Sequence, residues 1–206
     1  MNEGRGTFMS NYEEHVRVKI PTGVQNACIS GVFDLGLQET DYEGKKGHKH
    51  QCIVMFEIIN PYLDPDEGHG NRSTLSKKYS SINFSTDGKY KSGLQKDLEK
   101  WGGIEFTEQQ IKEGFDLFSI YGKSCTLVLS ENGKYTNVDT ITKRMPENPP
   151  IKPNREFGDA PDWVNKIVEK QVDPNEVYKD KPTQATKQPA DYGYAKEESD
   201  EDDLPF

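Results

Sequence analysis

The chain has 206 residues, of which 32% are hydrophobic and 30% charged, and its formal net charge is −9. This length suits one globular domain with extensions, and the low hydrophobic content indicates that part of the chain lies outside any core. No apolar run approaches the ~18 residues of a membrane span and no signal-peptide pattern opens the chain, so the sequence predicts a soluble cytoplasmic protein without membrane contacts.

The acidity is concentrated at the C-terminal end. Up to Pro150 the chain has 18 Lys and Arg against 21 Asp and Glu, whereas from Ile151 onward it has 8 against 14. A nearly neutral body can carry a local basic face, so the overall acidity does not exclude nucleic acid as a ligand. The three cysteines lie in apolar or alternating runs without metal-type spacing, which predicts reduced, buried thiols.

The first predicted elements form a hairpin. Residues 1–20 lack a clear period and are assigned to an N-terminal arm. The run Val24–Gln38 predicts a strand in which Gly31 indicates a bulge or a sharp coil. A turn-rich basic loop leads into a second, more apolar strand, His48–Ile59. The residues predicted to share one face of the first strand are Ala27, Ile29, Phe33 and Leu35.

A third strand and two helices follow. The run Leu75–Ser85 predicts the strand. Ser92, with Gln95 three residues later, fits a capping box, and the pair Gly102–Gly103 ends the helix that it begins. Thr107 caps a second short helix. The apolar residues at helical spacing on the first helix are Leu94, Leu98 and Trp101.

Strand character returns in two runs, Ser124–Ser130 and Lys134–Thr142, joined by Asn132–Gly133, a strong hairpin signal. Five short strands with a helix between the third and the fourth are the element order of an OB-fold barrel. We therefore predict a mainly β protein with an OB-fold domain over residues 21–144, followed by a largely disordered acidic tail.

The composition changes after Met145. Residues 145–190 are rich in Pro, Lys and Gln and are assigned to a linker, with a short amphipathic helix near residues 160–171. Residues 191–206 form an acidic tip. Its six acids fall between Glu197 and Asp203, and Leu204, Pro205 and Phe206 follow them to the end of the chain.

Signals for catalysis are weak. The chain has no phosphate-binding loop, no nucleophile elbow and no dinucleotide fingerprint. His48, His50 and Cys52 alternate along the second strand, and His69 could complete a zinc site, but the tight knuckle spacing of structural zinc is absent. A buried Cys52 beside solvated histidines is the favoured interpretation, and we predict neither enzymatic activity nor a cofactor.

Nucleic-acid binding has a broader basis. Aromatic rings stack on unpaired bases and Lys or Arg neutralise phosphates, so a single-strand binder needs both residue types interleaved. Several Lys/Tyr pairs meet this need, whereas Trp101, Phe33 and Phe56 are assigned to the core. The first candidates for DNA contact are Lys45, Lys46, Lys49, Lys77, Lys78 and Tyr79, and the second are Tyr90, Lys91, Tyr121, Lys123 and Tyr135.

The apolar end of the tip is suited to burial in another protein. A terminal Phe carries a ring and the α-carboxylate on one residue, so a partner can bury the ring while a basic side chain takes the carboxylate. The preceding acids steer the tip toward a basic rim. The residues assigned to partner binding are Asp200, Glu201, Asp202, Asp203, Leu204, Pro205 and Phe206.

The tip resembles the C-terminal tip of bacterial single-stranded DNA-binding proteins, which recruits replication, recombination and repair enzymes. The stretch from about Pro21 to Thr142 is similar to phage and prophage single-stranded DNA-binding proteins, notably over Pro21–Ile58, KKYSSINFS and KSGLQKDLEKWGG. The resemblance implies an OB-fold and a role in phage DNA replication or recombination in a bacterial cytoplasm.

Two other functions remain open from the sequence. One is an adaptor or inhibitor of a host DNA-processing enzyme that acts through the tip alone. The other is a zinc enzyme built around His48, His50 and Cys52. The sequence leaves the oligomeric state open, including a homo-oligomer, because no coiled-coil pattern is present.

Overall fold

The structure is a computed structural model that describes residues 19–66, 71–133 and 135–177. The N-terminal arm up to residue 18 and the acidic tip lie outside the described residues. The strands are β1 (Gly23–Tyr42), β2 (Lys45–Ile59), β3 (Arg72–Tyr79), β4 (Ser124–Asn132) and β5 (Tyr135–Lys143). The helices are α1 (Gly93–Gly102), α2 (Glu108–Glu113), α3 (Asp162–Val168) and the short α4 (Pro174–Val177), with a 3₁₀ turn at Leu117–Ile120.

The five strands form one antiparallel sheet in the order β3-β2-β1-β4-β5. The predicted closed barrel is not what the structure shows: β3 and β5 are the two edges, and within the described residues no backbone ladder joins them. They approach through side chains, since Lys77 Nζ donates to the Asp139 carbonyl at 3.4 Å. Because β3 and β5 do not pair, the sheet is open. Helix α1 adds Leu94, Leu98 and Trp101 to a core that also contains residues of both edge strands.

Strand β1 is irregular at two places. Its register against β2 shifts between Ile29 and Gly31 and again between Asp34 and Leu37. Each extra residue reverses which side chains of β1 face the core. Ala27 and Ile29 therefore lie in the inner core, whereas Phe33 and Leu35 lie on the opposite face of the sheet. The prediction that these four residues share one face is wrong because strict alternation does not survive a bulge.

The connection between β1 and β2 is a two-residue turn. Its central residues, Glu43 and Gly44, both have positive φ, at 53° and 77°, as a type I′ turn requires. Asp41 Oδ1 accepts the Gly44 N–H at 2.9 Å and so closes the turn. Because β2 has no bulge in its pairing with β1, its alternation runs unbroken from the core to the tip of this hairpin.

The inner core lies between one face of the sheet and α1. It includes Phe56 and Trp101, the largest of its fully buried side chains, and Trp101 Nε1 donates to the Ser124 carbonyl at 3.3 Å. The prediction that Trp101 belongs to the core is confirmed, and so are the N-cap roles of Ser92 and Thr107. The capping box predicted for Ser92 is not formed, because the Gln95 side chain is hydrogen-bonded to the backbone of Ser85. Ser92 Oγ accepts the Gln95 N–H, Gly103 ends α1 with φ 69°, and Thr107 forms a complete capping box with Gln110.

The segment assigned to a linker packs on the outer face of the sheet as far as residue 172. Val164 of α3 is buried against Phe33, Leu35, Ile53 and Met55. Ile151 is buried, and its N–H donates to Ser124 Oγ at 3.0 Å. We call residues 145–172 the wrap, because they contact strands β4, β1 and β2 on this face.

A buried carboxylate holds the wrap in place. Glu57 of β2 is 3% exposed, and its two oxygens accept the backbone N–H groups of Asn154, at 2.8 Å, and Arg155, at 3.2 Å. At the far end of the wrap, the Val172 N–H donates to the Leu37 carbonyl at 2.8 Å. None of the helices among the described residues is long and apolar enough to cross a membrane.

Candidate nucleic-acid interface

The β1–β2 hairpin separates its charges between its two faces. Paired residues of an antiparallel ladder share a face, and alternate pairs point to opposite faces. The face that continues the inner core carries the pairs Asp41–Lys46 and Glu39–His48, in which acid opposes base. The other face continues the one on which Ile53 and Met55 lie, and we call it the outer face. Its three pairs are Gln38–Lys49, Thr40–Gly47 and Tyr42–Lys45.

This outer face of the hairpin has two cations, one aromatic ring and no acid among its six positions. Tyr42 is 73% exposed, and Lys45 and Lys49 are exposed beside it. Exposed lysines on a projecting hairpin suit phosphate contacts, and the tyrosine ring presents a surface for stacking. Of the basic loop predicted from the sequence, the outer face keeps Lys45 and Lys49, while Lys46 points to the acidic inner side.

Lys78 extends the same face onto β3. It pairs with Ile53 of β2, four residues along that strand from Lys49, and its side chain is exposed. Lys45, Lys49 and Lys78 therefore lie on one side of the sheet, spread over about 25 Å at ~3.3 Å per residue. These three are the predicted lysines that the sheet brings to the outer face with exposed side chains.

The neighbours of Lys78 on β3 point inward. Tyr79 is 4% exposed and its hydroxyl donates to Asp97 Oδ2 at 2.8 Å; burial and then Asp97 raise its pKa. A ring in the core cannot stack on a base, so the prediction of a base contact by Tyr79 does not fit its position. Lys77 is bound to the same Asp97 at 2.8 Å, which neutralises its charge locally.

The loop before α1 keeps one predicted residue exposed and ties down another. Tyr90 is 66% exposed, with Lys89 Nζ 5.5 Å from its ring centroid. Lys91 Nζ donates to Glu99 Oε2 at 2.9 Å, and this hydrogen bond raises the pKa of Lys91. Glu99 also accepts Gln95 Nε2 and the Phe106 N–H. Lys91 therefore serves to attach this loop to α1.

The remaining second candidates are dispersed. Tyr121 donates its hydroxyl to the Arg155 carbonyl at 2.6 Å and meets Phe157 edge-on at 5.0 Å, so it fastens the wrap. Burial raises its pKa. Lys123 is half-buried next to it, and its backbone pairs with Ile29 of β1. Tyr135, 59% exposed, lies at the start of β5, at the opposite end of the sheet from the β1–β2 turn.

The three residues of the predicted metal cluster, His48, His50 and Cys52, lie in different surroundings. His48, His50 and Cys52 share the inner face, as their spacing predicts, but Cys52 is 1% exposed and His50 Nε2 lies 2.5 Å from Asp34 Oδ1. Within the described residues no group of three or more His, Cys, Asp and Glu side chains could hold a metal. His69 lies outside them.

The cysteines are free and buried, as predicted. Burial raises the pKa of Cys28 and of Cys52 to about 12, and it raises that of Cys125 as well. All three are therefore protonated near neutral pH and poor nucleophiles.

Among the exposed rings that sequence reasoning did not assign to the interface, three lie beside predicted contact residues. Tyr42 is the most important. The sequence feature that could have identified it is its position directly before the Glu43–Gly44 turn, opposite Lys45. Phe118 and Phe157, 40% and 41% exposed, meet edge-on at 6.1 Å beside Tyr121. Their proximity depends on the wrap, which no local pattern predicts. The tip residues Asp200 to Phe206 lie outside the described residues.

Comparison of the chain with protein-family models, curated proteins and solved structures finds no match. The functional argument therefore depends on the sequence features and the geometry described above.

Proposed function

We propose that this protein is a non-catalytic, sequence-tolerant binder of single-stranded DNA. The observation that carries the proposal is the outer face of the β1–β2 hairpin, where Tyr42, Lys45 and Lys49 are exposed together and every acid of the two strand segments faces the other way. Phosphates would meet Lys45, Lys49 and Lys78, and bases would meet exposed rings. Lysine contacts to phosphate carry no sequence information, which is why the binding is sequence-tolerant.

The element order supports an OB-type ancestry for the domain. The strand order β3-β2-β1-β4-β5, with a helix between the third and the fourth strand, agrees with the element order of an OB-fold, although the sheet is open here. Together with the resemblance of residues 21–142 and of the acidic tip, it favours a role in phage DNA replication or recombination in a bacterial cytoplasm. There the tip would recruit partner enzymes.

A titration tests the proposal. The full-length protein is mixed with a fluorescent oligo-dT strand and, separately, with a duplex of equal length, across salt concentrations from ~50 mM upward, where electrostatic binding is strongest. We expect preference for the single strand and a log–log salt slope near −2, because about three lysines each release ~0.7 counterion. Absence of binding at low salt would favour an adaptor that acts through the tip alone, and a preference for duplex would refute the proposal.

Deletion of Glu197–Phe206 should tighten DNA binding several-fold at low salt and change it little at high salt. The six acids of the tip compete with phosphates for the same lysines, and this competition is screened by salt. The position of the end of the wrap supports competition by the tip, since the Val172 N–H is hydrogen-bonded to the Leu37 carbonyl at the base of the hairpin. Affinity that is unchanged by the deletion at both salt concentrations would exclude competition by the tip.

A further inference from the structure

The outer face of the hairpin has a glycine, which carries no side chain, beside the exposed ring of Tyr42. Gly47 pairs with Thr40, and it lies between Lys45 and Lys49 along β2. Neither backbone geometry nor crowding demands glycine there: its φ is outside the left-handed region, and an added Cβ would meet only Thr40 Oγ1, at 3.5 Å. A glycine inside a strand costs stability, and one common reason for it is the close approach of a ligand.

The geometry around this position suits a planar group. Tyr42 is the diagonal neighbour of Gly47 on the same face, at the ~7 Å typical of such pairs. Lys45 stands directly opposite Tyr42, and Lys49 borders the far side of Gly47. A base laid against the Tyr42 ring would extend over the bare backbone at Gly47, while the two ammonium groups reach the phosphates on either side.

We propose that an unpaired base stacks on Tyr42 over Gly47, and that this contact gives the interface its preference for single-stranded over double-stranded DNA. The inference rests on the proposed function, because it names the part of that site that distinguishes the two ligands. Lysines attract the phosphates of either form, whereas only an unpaired base can offer a free face to a ring at the surface of the sheet.

Three variants separate the effect of base stacking from that of charge, since all of them leave every lysine in place. Tyr42→Ala should weaken oligo-dT binding about tenfold, the loss expected for one stacked base, and leave duplex binding within about twofold. Tyr42→Phe should bind as the natural protein does. Gly47→Val should weaken oligo-dT binding by a similar factor, because the valine side chain would occupy the space over the backbone that the base would use.

Controls distinguish the stack from general effects. Tyr62→Ala removes a comparably exposed tyrosine, 58% exposed, beyond the opposite end of β2, and should leave oligo-dT binding unchanged. Thermal unfolding of Gly47→Val should show no loss of stability, since valine is the better strand residue. Oligo-dT binding that survives intact in Tyr42→Ala and in Gly47→Val would overturn this inference alone, whereas a natural protein that ignores single strands would overturn the proposed function.

Discussion

Reversing the charge of Lys45 and Lys49 together should lower the affinity for oligo-dT at ~50 mM salt by about a hundredfold. Each reversal removes a phosphate contact and places a carboxylate where a phosphate should lie. The log–log salt slope should become shallower by about 1.4, because two phosphate contacts that each release ~0.7 counterion are lost. The measurement is a fluorescence titration of the double variant Lys45→Glu/Lys49→Glu over a salt series, beside the natural protein.

The hairpin supplies its own control for this prediction. Lys46→Glu makes the same charge change one residue from Lys45, but on the face where Asp41 lies opposite. Its effect should be several times smaller than that of Lys45→Glu or Lys49→Glu alone. A second double variant, Lys96→Glu/Lys112→Glu, matches the change in net charge at exposed helix positions. Equal losses from all these variants would show that net charge, not the outer face, governs binding.

Replacing Glu57 by Leu should lower the free energy of unfolding by about 2–4 kcal/mol. The substitution leaves the N–H groups of Asn154 and Arg155 without an acceptor, and each unsatisfied buried group costs ~1–3 kcal/mol. Release of the wrap would let water reach these groups and would limit the loss. The checks are the urea midpoint and limited proteolysis, which should cut within residues 145–172 in the variant before the sheet unfolds.

Two further substitutions define the origin of that loss. Glu57→Gln keeps one acceptor of nearly the same shape, so it should fall between the natural protein and Glu57→Leu. Glu156→Leu changes an exposed acid of the same segment and should alter stability by less than ~0.5 kcal/mol. Full stability and an intact wrap in Glu57→Leu would mean that the carboxylate is not what holds the wrap.

Local sequence signals predicted the five strands and the helices between them, and they placed the helix ends more closely than the strand ends. The N-caps at Ser92 and Thr107 are decided within a few residues, so single-sequence reasoning finds them. The Asn-Gly signal likewise finds the β4–β5 hairpin, although Asn132 is the last residue of β4 and the turn follows it. The spacing of Leu94, Leu98 and Trp101 likewise fixes the buried side of α1. Such features need no knowledge of what packs against them.

The errors concern relations between distant segments. Gly31 was correctly interpreted as the sign of a bulge, but the reversal of faces that follows was not carried through to Phe33 and Leu35. Tyr79 is adjacent to Lys78, yet alternation sends the two to opposite faces, and only the register against β2 decides which is buried. The wrap depends on a carboxylate nearly a hundred residues earlier in the chain.

The candidate site was predicted in part for the same reason. Composition indicated the basic loop, but a count of lysines cannot separate Lys45 and Lys49 from Lys46, since that needs the phase of β2. Tyr42 was overlooked because it falls in a segment interpreted as a turn, whereas β1 continues to that residue. The tip residues stay a prediction from sequence alone.

The two bulges of β1 have a consequence for how this hairpin can change over evolutionary time. Each bulge shifts the alternation of β1 by one residue, so the reversed faces are confined to the stretch between the bulges, and beyond Leu37 the strand again has the phase of Ala27 and Ile29. A lineage could therefore replace the exposed side chains beyond Leu37, or lengthen the hairpin by residue pairs, without changing the phase of the packed part of the strand.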